Sequence, residues 1–482
     1  MQTFQVLIIG SGFGGQCAAI ELLKAGISDF RLLERRDFFG GTWCQNTYPG
    51  AAVDIPSPLY SLSAAPYGWT RMYAGQEELH RYTRHVVDRY ALGEKIELGA
   101  VVEAMAWDDA SQHWSVHTSK GIFQARLVIN ASGPLSQPKI PSFEGMQAFK
   151  GKSFHSNQWD DDYDYRGKRV AIVGSGASAA QIIPAIAAQV SRLHVLQRTA
   201  HWVLPRPDQR FNPLQRWLLK QAVMYRLLRS WIYWKLESRF IGFKYSKLAI
   251  GLVENIARRH LARQVPDAEL RRLLTPDFTL GCKRVVLSSE LYPALCRDNV
   301  TLHTTGIARL DESGIVTADG QHLEVDLIVW ATGFNATDNL IPYEIAGRNG
   351  RLLSDVWHPC ARAYLGTSVP GFPNLFVLAG PNTGTGHTSA LFMLEAQMHY
   401  VMACIDAVLN EGSASIEVCA EAEERYTAMI HRQMTRTVWY WGGCRSWYQN
   451  ASGKVVAMFP GFSFSFYRMT RWLKRADHIL RK

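Results

Sequence analysis

The sequence has no CxxC or CxxxxC pair, and its eight cysteines, at 17, 44, 282, 296, 360, 404, 419 and 444, follow no regular spacing. That excludes a dithiol redox centre and a thiolate zinc site, gives no sign of a disulfide framework, and favours a reducing, cytosolic setting. No basic leader precedes the apolar stretch from Val6 to Ile20, which four glycines interrupt, so no signal peptide is expected. Residues 170–191 carry no formal charge over a length that would span a bilayer, but Gly174, Gly176 and Pro184 divide them into pieces too short for a membrane helix. The formal net charge of +10 comes without a zinc-finger, basic-zipper or RNA-stacking motif. Nucleic acid is therefore not expected, and attraction to anionic small molecules or a membrane surface is. No metal site is expected either.

What is present is a chain of 482 residues, 47% hydrophobic, long enough for two or three domains. The apolar run Val6 to Ile9 leads into Gly10-Ser11-Gly12-Phe13-Gly14-Gly15 and then into a helical pattern ending at Lys24. In such a strand–turn–helix unit Gly10 permits the tight turn, Gly12 lets the backbone approach a pyrophosphate, and Gly15 allows close helix packing. A second strand, Phe30 to Leu33, ends at Glu34, nineteen residues past Gly15, where a carboxylate accepts ribose hydroxyls and repels a 2′-phosphate. FAD or NAD fits this site.

A second unit begins at Arg169 to Val173 and continues Gly174-Ser-Gly176-Ala-Ser178-Ala179 into a helix carrying Gln181, with Ala179 in place of the third glycine. Its second strand, Leu193 to Leu196, is followed by Gln197-Arg198-Thr199, so a guanidinium and a hydroxyl stand where the first unit has a carboxylate. Arginine there favours a 2′-phosphate, hence NADPH. Two such sites describe an oxidoreductase in which NADPH reduces a bound flavin, and without a cysteine pair the expected electron acceptor is oxygen. The fold class implied is α/β, with two Rossmann-like dinucleotide-binding domains.

Between the units stands Phe149-Lys-Gly151-Lys-Ser-Phe-His155-Ser-Asn-Gln-Trp159-Asp160. This matches the fingerprint FxGxxxHxxxW followed by Pro or Asp, and here the chain resembles the type I Baeyer–Villiger monooxygenases, within the class B flavin-containing monooxygenases. Gly40-Gly-Thr42-Trp43, Tyr48-Pro-Gly50, Asp54, Lys283-Arg284, Arg297-Asp-Asn299, Ala331-Thr-Gly-Phe334 and Gly380-Pro-Asn382 fall in the family's order, so the likeness covers most of the chain. Nitrogen- and sulfur-oxygenating relatives usually end the fingerprint in Tyr or Phe, so Trp159 points to the ketone-oxidising branch. Oxygenation of sulfur or nitrogen in small lipophilic substrates stays as the alternative, and an NADPH oxidase as a further one.

The resemblance implies a C4a-peroxyflavin that attacks a small lipophilic ketone and yields an ester or lactone. It implies that Arg284 stabilises the anionic species, with Asp54 positioning and charge-balancing it. Thr42, Trp43, Asp54, Tyr60, Val102 and Asn382 match flavin contacts. Lys283 matches a clamp on the 2′-phosphate, working with Arg198 and Thr199. Ala51-Ala52-Val53 departs from the arginine and cysteine that many relatives carry before the aspartate. His155 and Trp159 read as a packed linker that couples domain movement to turnover.

The domain reading is residues 1–145 for the first part of the FAD-binding domain, 146–168 for a linker, 169–330 for an NADPH-binding domain with a helical insert at about 211–275, and 331–482 for the rest of the FAD-binding domain with a C-terminal cap. Asp326 to Ala331 and Asn374 to Ala379 read as strands returning the chain to the flavin domain. Phe462-Ser-Phe-Ser-Phe-Tyr467 alternates like a strand and precedes a basic tail. The insert intersperses Trp217, Trp231 and Trp234 with arginines and lysines. It reads as a cap over the active site, a dimer surface, or a basic amphipathic element on a membrane, with the cap expected first. The setting implied is cytoplasmic, with peripheral membrane contact open and the oligomeric state undetermined.

Overall fold

A computed structural model describes residues 2–337 and 340–482. Two sheets dominate it, one mixed and one wholly parallel, each built on one glycine turn. In the first, Gln2–Ile9 lies between Phe30–Leu33 and Gly121–Asn130, in parallel with both. Its inner residues Val6 to Ile9 are almost wholly buried, Val6 and Ile8 packing with the helix Phe13–Lys24 and Leu7 and Ile9 with the strand residues Val102, Trp107 and Trp114. Leu375–Val377 joins the same sheet beside Val128 to Asn130, and Glu344–Ala346 pairs in parallel with Val102–Asp108 at the sheet's far edge. Residues from both ends of the chain therefore build one sheet.

The second sheet orders Val300–His303, Arg192–Leu196, Arg169–Val173, Leu327–Trp330 and Lys152–His155, all parallel. The strand read at Asp326 to Ala331 thus belongs here and does not return the chain to the first sheet. Its four residues are 0–1% exposed between a helix layer and a small antiparallel sheet, a double burial that hydrophobic content alone cannot assign to one sheet or the other. Lys152–His155, from the stretch read as a linker, is the edge strand of this sheet.

Two further expectations are corrected. Residues 463–470 form a helix, because Ser463, Phe466 and Thr470 recur at helical spacing and face the core, and the Thr470 hydroxyl donates to the Phe466 carbonyl at 3.1 Å. Cys282 and Cys444 form a disulfide across 162 positions, a separation that spacing rules for local motifs do not reach.

The helix Ala390–Leu409 has the length and hydropathy of a membrane span, yet two-thirds of it (67%) is buried, packed against the first glycine-turn helix Phe13–Lys24 and the C-terminal helix. Further along, Ala222–Glu237 turns Ile232, Tyr233 and Leu236 onto Ile55 and Leu59. Arg229 fastens it there, donating to the carbonyls of Pro58, Leu59 and Ser61 and pairing with Glu395 at 3.0 Å.

Candidate active site

The two glycine turns are built alike. Gly10 has φ +100°, and a Cβ there would stand 2.7 Å from the Ala131 carbonyl oxygen; Gly174 has φ +124°, with Ala331 O at 2.3 Å. Both turns thus bury glycine against the neighbouring strand's end. A Cβ on Gly15 would meet Gly10 O at 2.0 Å, so helix and strand can close only on glycine, whereas Ala179, fully buried, is tolerated in the second turn. Gly12 and Gly176 differ in kind: among the described residues a Cβ on Gly12 meets only Gly41, its Cα at 3.5 Å, and one on Gly176 meets nothing within 4 Å. The fold does not need glycine there, so the space suits a pyrophosphate approached by bare backbone.

Glu34 ends its strand buried above the first turn, with Oε2 accepting from the Ser11 amide at 3.0 Å and the Ser11 hydroxyl at 2.6 Å. Carboxylate oxygens have lone pairs to spare for a ribose. Phe13 packs edge-on to Tyr60, and Trp43 Nε1 donates to the Tyr60 hydroxyl at 3.1 Å. Thr42 opens the short helix Thr42–Gln45 beside Gly41. Val102 is buried two residues after Ala100, whose amide donates to Glu34 O. Asn382 spends its amide group on the carbonyls of Val455 and Met458, so it ties down the C-terminal loop and leaves only its carbonyl oxygen free to face a cofactor.

At the second turn, Arg198 is exposed at the end of its strand, and Ser175 fixes the backbone of Thr199 through its carbonyl at 2.8 Å. Lys283 lies over the Phe278 ring at 4.9 Å. Burial and the Arg198 charge together depress the Lys283 ammonium, so two cations converge with Asp277 as a counterweight. That is the donor set a 2′-phosphate fits. His201 stands nearby, its Nδ1 without a partner among the described residues; burial first, then Lys283, lowers it to about 4, so it is neutral at physiological pH.

The Tyr48-Pro-Gly50 loop joins the two nucleotide sites. Tyr48 donates to Gln181 Oε1 at 3.0 Å, Gln181 Nε2 donates to Ala52 O at 2.9 Å, and Gly50 rests on the Gln181 carbonyl, where a Cβ would come within 2.5 Å. Tyr48 also meets Ser178. Gln181 and Ser178 thus brace the loop that presents Asp54.

Asp54 meets Arg284 from 230 positions away. Nε donates to Oδ2 at 2.6 Å and Nη2 to Oδ1 at 2.7 Å, a bidentate fork, with the two side chains 27% and 36% exposed. Burial works against the Asp54 charge, but Arg284 more than offsets it and holds the carboxyl below its usual value. Asp54 in turn raises Arg284 beyond an ordinary arginine, so the guanidinium stays charged throughout.

Two neighbours of this pair carried no sequence signal. Tyr448 is buried beside it and pushed up to about 12 by burial, against the pull of Arg284. Arg206 donates through Nη2 to Val53 O at 3.1 Å and Tyr73 O at 3.3 Å and adds positive potential at Asp54, while its Nε has no partner among the described residues. Tyr448 lies in an irregular segment and Arg206 between two prolines, where periodicity says nothing. His155 and Trp159 stand apart from the pair. His155 is fully buried, with Nε2 against Gly333 O at 2.9 Å, and Trp159 packs on Phe154 and Tyr165.

A family model described as pyridine nucleotide-disulphide oxidoreductase matches residues 7–229, a span that takes in both glycine turns. A Baeyer–Villiger monooxygenase of Pseudomonas aeruginosa is 42% identical over 97% of this chain and 89% of its own. One of Streptomyces coelicolor is 41% identical over 98% and 92%. Among solved structures, an oxidized steroid monooxygenase bound to NADP superimposes with TM-score 0.90 at 29% identity over 100% of both chains. A cyclohexanone monooxygenase from Rhodococcus sp. Phi1 bound to NADP+ does so with TM-score 0.91 at 25% identity, covering 100% of this chain and 99% of that one. With two glycine turns and near-complete coverage of both of these relatives, the chain belongs to the Baeyer–Villiger monooxygenase family.

Proposed function

We propose that this chain is an FAD- and NADPH-dependent monooxygenase that inserts one oxygen atom from O2 beside the carbonyl of a small lipophilic ketone, giving an ester or lactone. The observation that carries the reading is the Arg284–Asp54 fork, set beside the first nucleotide site and adjoining Lys283 of the second. When bound, the NADPH-reduced flavin supplies the electrons and the centre at which oxygen is activated.

The chain's own residues supply the rest. Gly12, in the turn that Gly10 and Gly15 close, would admit the FAD pyrophosphate, and Glu34 would read its ribose. Gly174 and Gly176 would do the same for NADPH, with Arg198, Thr199 and Lys283 on the 2′-phosphate. Arg284 has five N–H donors, of which two go to Asp54, leaving three for negative charge developing on the ketone oxygen. Because it never gives up a proton at working pH, it stabilises that charge without quenching it. Asp54 fixes the plane of the fork and keeps an otherwise uncompensated cation from drawing in counter-ions. Tyr60 and Tyr448, both with raised hydroxyl pKa values, stay neutral beside the pair. The reading extends to a peripheral station at a membrane, which the exposed apolar and basic insert supports.

The test is NADPH consumption with aliphatic, cyclic and aryl ketones, with products identified by mass and hydrogen peroxide measured in parallel. Ester or lactone in proportion to NADPH is the expected result. Faster turnover of sulfides or amines than of any ketone would move the reading to heteroatom oxygenation, and peroxide alone would move it to an oxidase.

A further inference from the structure

A surface helix of a globular protein ordinarily buries one apolar stripe and gives solvent its polar face. Two helices of the insert do otherwise. Ala222–Glu237 buries Tyr225, Ile232, Tyr233 and Leu236, yet on the opposite side Val223, Leu227, Trp231 and Trp234, spaced by four, four and three, are 56–67% exposed. Lys247–Gln264 buries Ile250, Ala257 and Leu261 and exposes Leu248, Leu252 and Ile256, spaced by four and 50–77% exposed. Between the two, Ile241 and Tyr245 are also exposed. Large apolar side chains at this density mark a contact surface, not ordinary scatter.

Charge indicates what the contact is. Residues 211–264 hold eleven lysines and arginines against two glutamates, a net +9 out of the chain's +10. Neither glutamate is available to soften that field: Glu237 is buried in a pair with His387, and Glu254 accepts the Leu280 amide. Lys235 sits over the Trp231 ring at 4.8 Å, and Arg471 over the exposed Trp472 at the same distance. The C-terminal helix that leads to Trp472 is bonded to the insert through Tyr233 and Ser463, 3.0 Å apart. Indole and guanidinium or ammonium side by side suit a headgroup layer, where the ring sits at the acyl boundary and the cation meets phosphate. A second copy fits poorly, because pairing two such faces sets positive charge against positive charge.

We propose that the outer face of the insert docks on the surface of an anionic phospholipid bilayer, with Leu227, Trp231, Leu248 and Leu252 entering the acyl boundary and the surrounding lysines and arginines on the headgroup phosphates. This deepens the peripheral-membrane reading given above and rests on it. The inner face of the same first helix covers Ile55 and Leu59, on the loop that carries Asp54 and Tyr60. Docking therefore brings a bilayer that dissolves lipophilic ketones to the outer side of the helix that covers this loop.

The experiment is co-sedimentation of the full-length, FAD-loaded protein with vesicles of phosphatidylcholine alone and of phosphatidylcholine with phosphatidylglycerol, comparing the native chain with Leu227→Ser/Trp231→Ser and Leu248→Ser/Leu252→Ser. The expected result is sedimentation with the anionic vesicles, weakened at least about tenfold in each double variant and in about 1 M salt, where the Debye length falls to about 3 Å. NADPH oxidation with a water-soluble ketone is expected to stay unchanged in both variants, which shows that they fold. Native-like sedimentation of both variants overturns the assignment of this face but leaves a peripheral station standing. No sedimentation with any vesicle overturns both, and a native dimer that the substitutions turn into a monomer, without lipid binding, gives the face to a second copy.

Discussion

Replacing Arg284 by alanine separates the chemistry of the site from its folding. The fork to Asp54 consists of two charge-assisted bonds of 2.6 and 2.7 Å, strong in geometry, but both side chains are about a third exposed. Once the guanidinium is gone, water reaches the Asp54 carboxylate and repays most of the lost interaction. The cost in stability is therefore near the top of the exposed-pair range, about 1 kcal/mol, and not the several kcal/mol of a sealed buried pair. Its effect on rate is larger, because the three donors not used by Asp54 are preorganised. Removing one such donor in enzymes of this kind of electrostatics costs about 10²–10³ in kcat, or roughly 2.7–4 kcal/mol. The expectation is a protein that keeps its bound flavin, melts within a few degrees of the native one, is reduced by NADPH under anaerobic conditions, and forms ester at least about a hundredfold more slowly. Reduction followed by flavin absorbance and ester followed by mass separate the two half-reactions. Ester formation within about threefold of native would refute the role of Arg284, since no lost stabilisation of that size fits a single preorganised donor. Loss of bound flavin together with activity would show that the pair is structural.

Three further predictions follow from the same geometry. Gly174→Ala is expected to fold poorly, with its Cβ 2.3 Å from Ala331 O at a φ of +124°, whereas Gly176→Ala, into open space, should melt normally and raise the KM for NADPH; equal melting of the two variants would show the turn is not strained as described. Arg198→Ala and Lys283→Ala should each weaken NADPH by about 1.5–3 kcal/mol, roughly 10- to 100-fold in KM, while leaving NADH nearly unchanged, and parallel losses with both nucleotides would refute a 2′-phosphate clamp. Glu237, buried with His387 at 3.2 Å and Ser463 at 2.7 Å, has a carboxyl whose pKa burial alone would raise, but His387 and the Ser463 bond bring it below its usual value. Glu237→Gln should therefore cost about 1.5–3 kcal/mol near neutral pH, the range for hydrogen bonds to a charged group. The sign of linkage makes the native contribution present above the unfolded carboxyl value and lost as pH falls through the folded one, so native and variant melting curves should converge in acid.

How far the sequence was legible depended on whether a residue's role is local. Gly10, Gly12, Gly15 and Glu34 act within one strand–turn–helix unit, and their spacing alone placed the turn and its carboxylate. Gly174, Gly176 and Arg198 repeat that logic. The Asp54–Arg284 contact spans 230 positions and was reachable only through the family likeness. Tyr448 and Arg206 had neither local spacing nor motif, because their effect on the pair comes from burial and charge after assembly. The same limit produced the misreadings. The Asp326 to Ala331 strand has the same hydrophobic content whichever sheet receives it, and Phe462 to Tyr467 alternates over a length too short to distinguish a strand from a helix whose buried residues fall at 463, 466 and 470. The Cys282–Cys444 bond is invisible to spacing because only the fold brings its halves together.

That the charged pair is assembled from distant segments has a consequence for how the site works. Asp54 comes with the loop after Gly50, Arg284 with the segment after the helix Ala222–Glu237 and its successors, and Tyr448 with the C-terminal region, which the Cys282–Cys444 bond fastens two residues from Arg284. The loop under Asp54 is braced by Gln181 on the helix of the second turn, the helix whose open N-terminus suits the nicotinamide nucleotide. Any shift of that helix on nucleotide binding would pass to Asp54 through Tyr48, Ala52 and the close seat of Gly50, and would bear on the fork by the shortest covalent route. Breaking the brace with Gln181→Ala while leaving the fork intact should then lower ester yield per NADPH and raise peroxide release more than it changes NADPH affinity. An unchanged yield with only a weaker KM would mean that the fork holds its geometry without the second domain's help.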